Sequence, residues 1–343
     1  MLKPDVPHGE VHTFWVESEV LKNNPWGDSP RRRVDIYLPP EVSLDTEERF
    51  PVVYDLVGYT NGGPKHTAYR GFGESVPERM DRLITRGDSK PAVVVFPDCF
   101  TKLGGNQYIN SASVGRWADF LIQELTPYIE EHAPVLSGRD HRGLFGKSSG
   151  GYGAIVHGMR YPGHWNAVAC HAGDMYFDFC YRTDFPTTLD VLAQHDRSVE
   201  KFMEYFHNSE KVTGDEFHTL MAIAMAATYD PNEENPRKIR LPFDLYTGEL
   251  NEDRWANWLA NDPIYLVDEL GANLNELDLV FIDCGFKDQY HMVYGARILH
   301  RKLEEMGVKH IYEEFPDNHS KIDYRFDRSL PLIIDALTPF GDS

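Results

Sequence analysis

The chain predicts an α/β fold, with a mostly parallel eight-stranded sheet, helices on both faces and a helical cap insertion. Three observations lead there. Short β-branched apolar runs recur along the chain. Amphipathic helical stripes separate most of them, as parallel strands joined by crossovers require. Finally, a glycine-rich turn over 146–151 links one apolar run directly to a helical segment. With 343 residues, of which 41% are hydrophobic and 13% aromatic, a large core is affordable. A single domain over 1–343 is expected.

The candidate strands are 11–17, 33–38, 52–57, 92–96, 142–145, 167–171, 277–283 and 310–315. The first two lie close together and read as an antiparallel hairpin at a sheet edge, stopped by Pro39-Pro40. Trp117, Phe120, Leu121, Leu125 and Tyr128 recur at helical spacing, as do Met292, Ala296, Leu299, Leu303 and Met306, ahead of Gly307. These aromatic and methionine side chains read as core, with no cofactor role. Between the strands at 167–171 and 277–283 the alternation breaks for about a hundred residues, too many for a structureless loop in a compact domain. Helices are expected at 189–206 and 216–228, with an irregular stretch at 230–253. The segment 175–263 therefore reads as a cap or lid over the carboxyl edge of the sheet. Its aromatics, among them Tyr176, Phe177, Phe179, Tyr181, Trp255 and Trp258, either line a pocket or pack the cap onto the body. Tyr176 and Trp255 stand as candidate substrate contacts.

Composition excludes several classes. The formal charge is −20, from 34 basic and 54 acidic side chains, which disfavours phosphate backbones and anionic lipid surfaces as partners. No run approaches the ~18 apolar residues of a membrane span, and the first eight residues hold no apolar leader core. A cytoplasmic location is the expectation, with a small molecule as the partner and a homo-oligomer left open. Cys99, Cys170, Cys180 and Cys284 are widely spaced, as expected of free, mostly buried thiols. No H-E-x-x-H or zinc-like His/Cys spacing occurs, and no G-x-G-x-x-G opens a first βαβ unit. No metal or cofactor is expected.

The chemistry concentrates at Gly146-Lys147-Ser148-Ser149-Gly150, preceded by the apolar Leu144-Phe145 and followed by a helix-forming stretch. A serine on a sharp strand-to-helix turn needs small residues two places before and after it. The helix that follows presents free N–H groups and a positive dipole end. An ordinary glycine-rich turn is the plain alternative. A phosphate loop is a poor one, because His141 stands where its first glycine belongs and the apolar strand would fall inside the loop.

A serine hydroxyl needs a base, and the base an orienting acid, in the chain order serine, acid, histidine. Asp288 follows the strand at 277–283 and is the candidate acid, although helix N-capping is another use of such an aspartate. Asp283 is the runner-up, and Asp317 a weaker third. His319, after the last strand and before the last helix, is the candidate base, ahead of His291 and His171. The loop Leu56-Val57-Gly58-Tyr59-Thr60 offers a second oxyanion donor. Tyr59 and Ser149 are the candidate amide pair, with Gly58 letting the chain turn beside substrate.

Together, Ile36-Tyr37-Leu38-Pro39-Pro40, Val57-Gly58-Tyr59-Thr60, Phe96-Pro97-Asp98, Gly146–Gly151, Gly285-Phe286-Lys287-Asp288 and Asn318-His319-Ser320 resemble the esterase D / putative esterase family of α/β-hydrolases. That group includes S-formylglutathione hydrolases, enterochelin esterases, feruloyl esterases and mycolyltransferases. The resemblance runs from about Arg33 to Leu337. It implies a serine carboxylesterase with Ser148, Asp288 and His319 as its triad. Lys147 stands where many members carry histidine, and Val57 where many carry histidine or serine. The expected substrate is a short-chain acyl or aryl ester, cleaved through an acyl-enzyme. Thioester hydrolysis and acyl transfer would use the same residues, and a non-catalytic binding protein on this scaffold is the reading from another class.

Overall fold

A computed structural model describes residues 6–337. Eight strands form one sheet: β1 (Glu10–Glu17), β2 (Arg31–Leu38), β3 (Val52–Leu56), β4 (Val93–Pro97), β5 (Arg142–Lys147), β6 (Ala167–His171), β7 (Leu279–Gly285) and β8 (Ile311–Phe315). Their order across the sheet is β1-β2-β4-β3-β5-β6-β7-β8. β1 pairs antiparallel with β2, and β2 antiparallel with β4. From β4 to β8 every pairing is parallel. The expected edge hairpin and parallel body are both present.

Period-two alternation divides the core between the two faces. Val52, Tyr54 and Leu56 of β3, with Val93 and Val95 of β4, belong to one buried cluster. Val53, Val94 and Phe96 belong to the other, with Phe145 and Phe281. Helix α1 (Val76–Arg86) and the C-terminal helix cover this second face through Val76, Met80, Leu83, Phe326, Leu330 and Ile333. Around 117–132 the expected helix is present, with a π-helical stretch at Phe120–Leu125. Helix α2 (Ser149–Arg160) packs on the first face through Ala154, Ile155, Val156 and Met159.

The long β6–β7 connection is helical, but its boundaries differ from expectation. The helix anticipated at 189–206 is two helices, α3 (Phe185–Ala193) and α4 (Val199–Asn208). Asp196 and Arg197 break it, both at φ 55° in the left-handed region. Helix α5 (Gly214–Tyr229) starts with a Thr213/Glu216 capping box. Two further helices, α6 (Glu252–Leu259) and α7 (Pro263–Leu270), follow an irregular stretch. Asp262 caps α7 through the Ile264 amide and accepts the amides of Tyr176 and Phe177 at 3.0 and 2.7 Å. One buried carboxylate thus ties both ends of the connection together. β7 runs two residues further than anticipated, to Gly285, so Asp283 lies within the strand. Helix α8 (Met292–Glu305) and helix α9 (Phe326–Leu337) complete the sheet's helical cover. All four cysteines are free and buried. Among the described residues no helix is long and apolar enough to cross a membrane.

The closest packing lies where α2 leaves β5. A Cβ on Gly150 would meet the Leu56 carbonyl oxygen at 1.6 Å, and one on Gly146 would meet that same atom at 2.4 Å. Gly150→Ala must push α2 off β3, and overpacking of this kind costs about 1–3 kcal/mol or more. Scanning calorimetry should show Tm lowered by several degrees; an unchanged Tm would contradict this packing.

His157, inside α2, is fully buried. Its Nε2–H donates to the Tyr108 carbonyl at 2.7 Å, and its Nδ1 accepts the Trp165 indole N–H at 3.1 Å. Burial pushes its pKa down to about 4. The unfolded chain takes up this proton near pH 6.5, so the contribution is present above that pH and is lost as pH falls toward 4. Urea midpoints should therefore fall between pH 7 and 5, and His157→Gln should flatten that slope. An equally steep slope in the variant would rule the assignment out.

Candidate active site

Ser148 is the residue between β5 and α2, with φ 59° and ψ −125°. A side chain there is strained, and the surroundings hold it: its N–H donates to the His171 carbonyl at 3.0 Å, and its carbonyl accepts the Tyr152 N–H at 2.9 Å. Gly58 approaches from the β3 loop, so close that a Cβ would lie 3.4 Å from the Ser148 Cβ. Ser149 begins α2, so its N–H has no acceptor within the helix.

Asp288 stands beyond the end of β7 and His319 beyond the end of β8. His319 Nδ1 and Asp288 Oδ2 are 2.7 Å apart, with the imidazole donating to the carboxylate. The other oxygen, Asp288 Oδ1, accepts the Tyr290 N–H at 2.9 Å. The N-cap of α8 is His291, not Asp288. The His319 backbone N–H donates to Gln289 Oε1 at 2.9 Å, and the Tyr290 ring meets the imidazole edge-on at 4.9 Å. With Nδ1 committed to Asp288, Nε2 is the nitrogen left for proton exchange.

Ser148, Ser149 and His319 line one cavity of about 300 Å³, together with Gly58 and Tyr59. The β3 loop is fixed from below: the Tyr59 hydroxyl donates to the Leu103 carbonyl at 2.5 Å, and the Gly105 N–H donates to the Tyr59 carbonyl at 2.7 Å. Tyr181, Phe217, His218 and Met221 enter the same cavity from the β6–β7 connection.

Two expected substrate contacts are not brought here. Trp255 is buried against Trp258 and Phe185, its indole N–H donating to Asp178 at 3.2 Å. Tyr176 stacks on Phe179, with ring centroids 4.2 Å apart. Neither lines the cavity, and both serve packing within the connection. The alternative acid and base, Asp283 and His171, form their own pair at 2.7 Å within the sheet, fully buried. Ser329 and Arg325 complete that cluster, which lies apart from the cavity lining. His291 is exposed, and Asp317 accepts the N–H of its neighbour Asn318.

One residue was not anticipated. Asp174, three residues past β6, accepts the Ser148 hydroxyl at 3.2 Å. It also accepts the hydroxyls of Tyr181 and Ser149 at 2.7 and 2.9 Å and the Gln107 amide at 3.3 Å. Burial pushes its carboxyl up, while the hydroxyl donors pull it back. Its position just past a parallel strand is the same signal that marks Asp288. His218, on α5, pairs with Asp184 at 3.0 Å and stacks on Tyr290.

The family model described as "Putative esterase" matches residues 29–331. The chain belongs to that family. An esterase of Mycobacterium tuberculosis H37Rv is 36% identical over 98 residues, which is 27% of this chain and 20% of that protein. An endo-1,4-beta-xylanase/feruloyl esterase of Xylanibacter ruminicola is 27% identical over 175 residues, 49% of this chain and 22% of its own length. The chain thus spans about a fifth of the length of these curated relatives. Among solved structures, a ferulic acid esterase superposes with a TM-score of 0.62 at 19% identity, covering 96% of this chain and 99% of its own. An S-formylglutathione hydrolase of Agrobacterium tumefaciens gives 0.56 at 18% identity, with 97% of each chain covered. The fold is that of the α/β-hydrolase esterases.

Proposed function

We propose that the protein is a serine carboxylesterase, with Ser148 as nucleophile, His319 as base and Asp288 as the orienting acid. The observation that carries this reading is the Asp288–His319 hydrogen bond delivered to the same cavity as the strained Ser148. For reaction the Ser148 hydroxyl must exchange its bond to Asp174 for one to His319 Nε2. His319 then takes the hydroxyl proton as the oxygen attacks the acyl carbonyl. The N–H groups of Tyr59 and Ser149 receive the developing oxyanion. The tetrahedral adduct expels the alcohol, which takes the proton from His319. Water, deprotonated by the same imidazole, cleaves the acyl-enzyme and frees Ser148.

Helices α3 to α7 act in this reading as a cap, with Tyr181, Phe217 and Met221 forming an apolar wall suited to an aryl or short acyl group. The four free, buried thiols suit a reducing compartment, and the cytoplasm is the location we propose.

Replacing the nucleophile tests the reading directly. Ser148→Ala should lower turnover of p-nitrophenyl acetate by about 10⁶-fold, as loss of a hydroxyl nucleophile does elsewhere, with Tm nearly unchanged. Parental turnover in that variant would refute it. The two Asp–His pairs give a second test. Asp288→Asn should cut turnover by roughly 10⁴-fold through the wrong imidazole tautomer. Asp283→Asn should instead lower Tm while leaving turnover per folded molecule within a few-fold. Equal kinetic losses in both would show that the pairs have been assigned wrongly.

A further inference from the structure

The cavity is cationic on one side, although the chain as a whole carries −20. Lys147 ends β5 beside the nucleophile, Lys65 and Arg70 come from the loop after β3, and Lys321 follows His319; all four line the cavity. Arg70 is paired with Asp323. Among the described residues, the side-chain ammonium groups of Lys147, Lys65 and Lys321 make no hydrogen bond or ion pair. Lys65 and Lys321 are exposed, but Lys147 is only half-exposed. The nearby carboxylates are engaged elsewhere: Asp323 with Arg70, Asp288 with His319, and Asp174 with the hydroxyls around Ser148.

A half-buried ammonium without a counter-ion is costly to keep charged. Burial indeed pushes the Lys147 pKa down, with Asp323 and Asp288 only partly offsetting it. A bound anion would remove that penalty. The other wall, from the β6–β7 connection, is apolar at Tyr181, Phe217 and Met221. A substrate that satisfies both walls has an apolar arm and an anionic arm. Lys147 is adjacent to Ser148 in the chain, and its side chain spans only a few bonds. The anionic group must therefore sit close to the scissile carbonyl.

Resting on the esterase reading above, we infer that the preferred substrate is an ester carrying a carboxylate a few bonds from its carbonyl, recognised by Lys147 with Lys65 and Lys321 around it.

Two pairs of esters test this, each matched in size. Mono-4-nitrophenyl glutarate against 4-nitrophenyl pentanoate places the charge on the acyl arm. 4-Acetoxybenzoate against 4-methylphenyl acetate places it on the alcohol arm. After subtraction of spontaneous hydrolysis, the charged member of at least one pair should show kcat/KM about tenfold higher or more, the scale of one charge-assisted contact. That preference should shrink as salt rises toward about 0.5 M. Lys147→Gln should reduce the charged-to-neutral ratio at least about fivefold, and Lys147→Arg should retain most of it. Taking the ratio within each variant cancels any general damage to catalysis. Hydrolysis of the neutral esters with no preference for charge, or a ratio unmoved by Lys147→Gln, overturns this inference and leaves the esterase reading standing. Failure to hydrolyse any of the four esters overturns both.

Discussion

The site depends on how closely one helix approaches the centre of the sheet. α2 leaves β5 so near β3 that neither Gly146 nor Gly150 has room for a side chain against the Leu56 carbonyl. That contact fixes the turn, and the turn holds Ser148 at a positive φ that a free serine avoids. Strain of this kind persists only where packing over-determines the backbone. Here the enclosing elements are largely buried: β3, β6, the middle of β5 and the first turns of α2. The same turn brings Ser148 and Ser149 to one cavity.

The parallel sheet supplies the rest by repetition. Each of the three strands beyond β5 ends in a loop that carries a polar group: Asp174 after β6, Asp288 after β7 and His319 after β8. Neighbouring strands in register place those loops side by side at the carboxyl edge, where open α/β sheets bind ligands. Asp283 and His171 lie on the same two strands as parts of this arrangement, yet within the sheet, and Arg325 pairs with Asp283 there. The shift from strand interior to the loop beyond it separates a buried structural pair from a cavity-facing one.

Much of this was legible in the sequence, because the strand pattern and the G-x-S-x-G turn are local signals. All eight strands, the edge hairpin and both faces of helices follow from periodicity and turn residues. The β6–β7 connection was legible as helical but not in detail. Asp196 and Arg197 adopt left-handed backbone that neither residue type announces, so one expected helix is two. Trp255 and Tyr176 lie outside the cavity lining, which spacing could not tell, because an aromatic that packs a helix and one that lines a pocket recur alike. Asp174 was missed although its position past a strand end was readable, since one acid already met the test. The charge of the cavity was invisible for a different reason. Net charge averages the surface, whereas Lys147, Lys65, Arg70 and Lys321 come from three separate stretches of chain that only the fold gathers.

The central claim is that Ser148 is a nucleophile activated by His319. Incubation with a fluorophosphonate, followed by peptide mass spectrometry, measures that reactivity without any assumption about substrate. One stoichiometric adduct is expected, on the peptide containing Ser148, formed far more slowly in the His319→Ala protein. An unlabelled Ser148 in folded protein, or labelling that proceeds at the same rate without the imidazole, would contradict it.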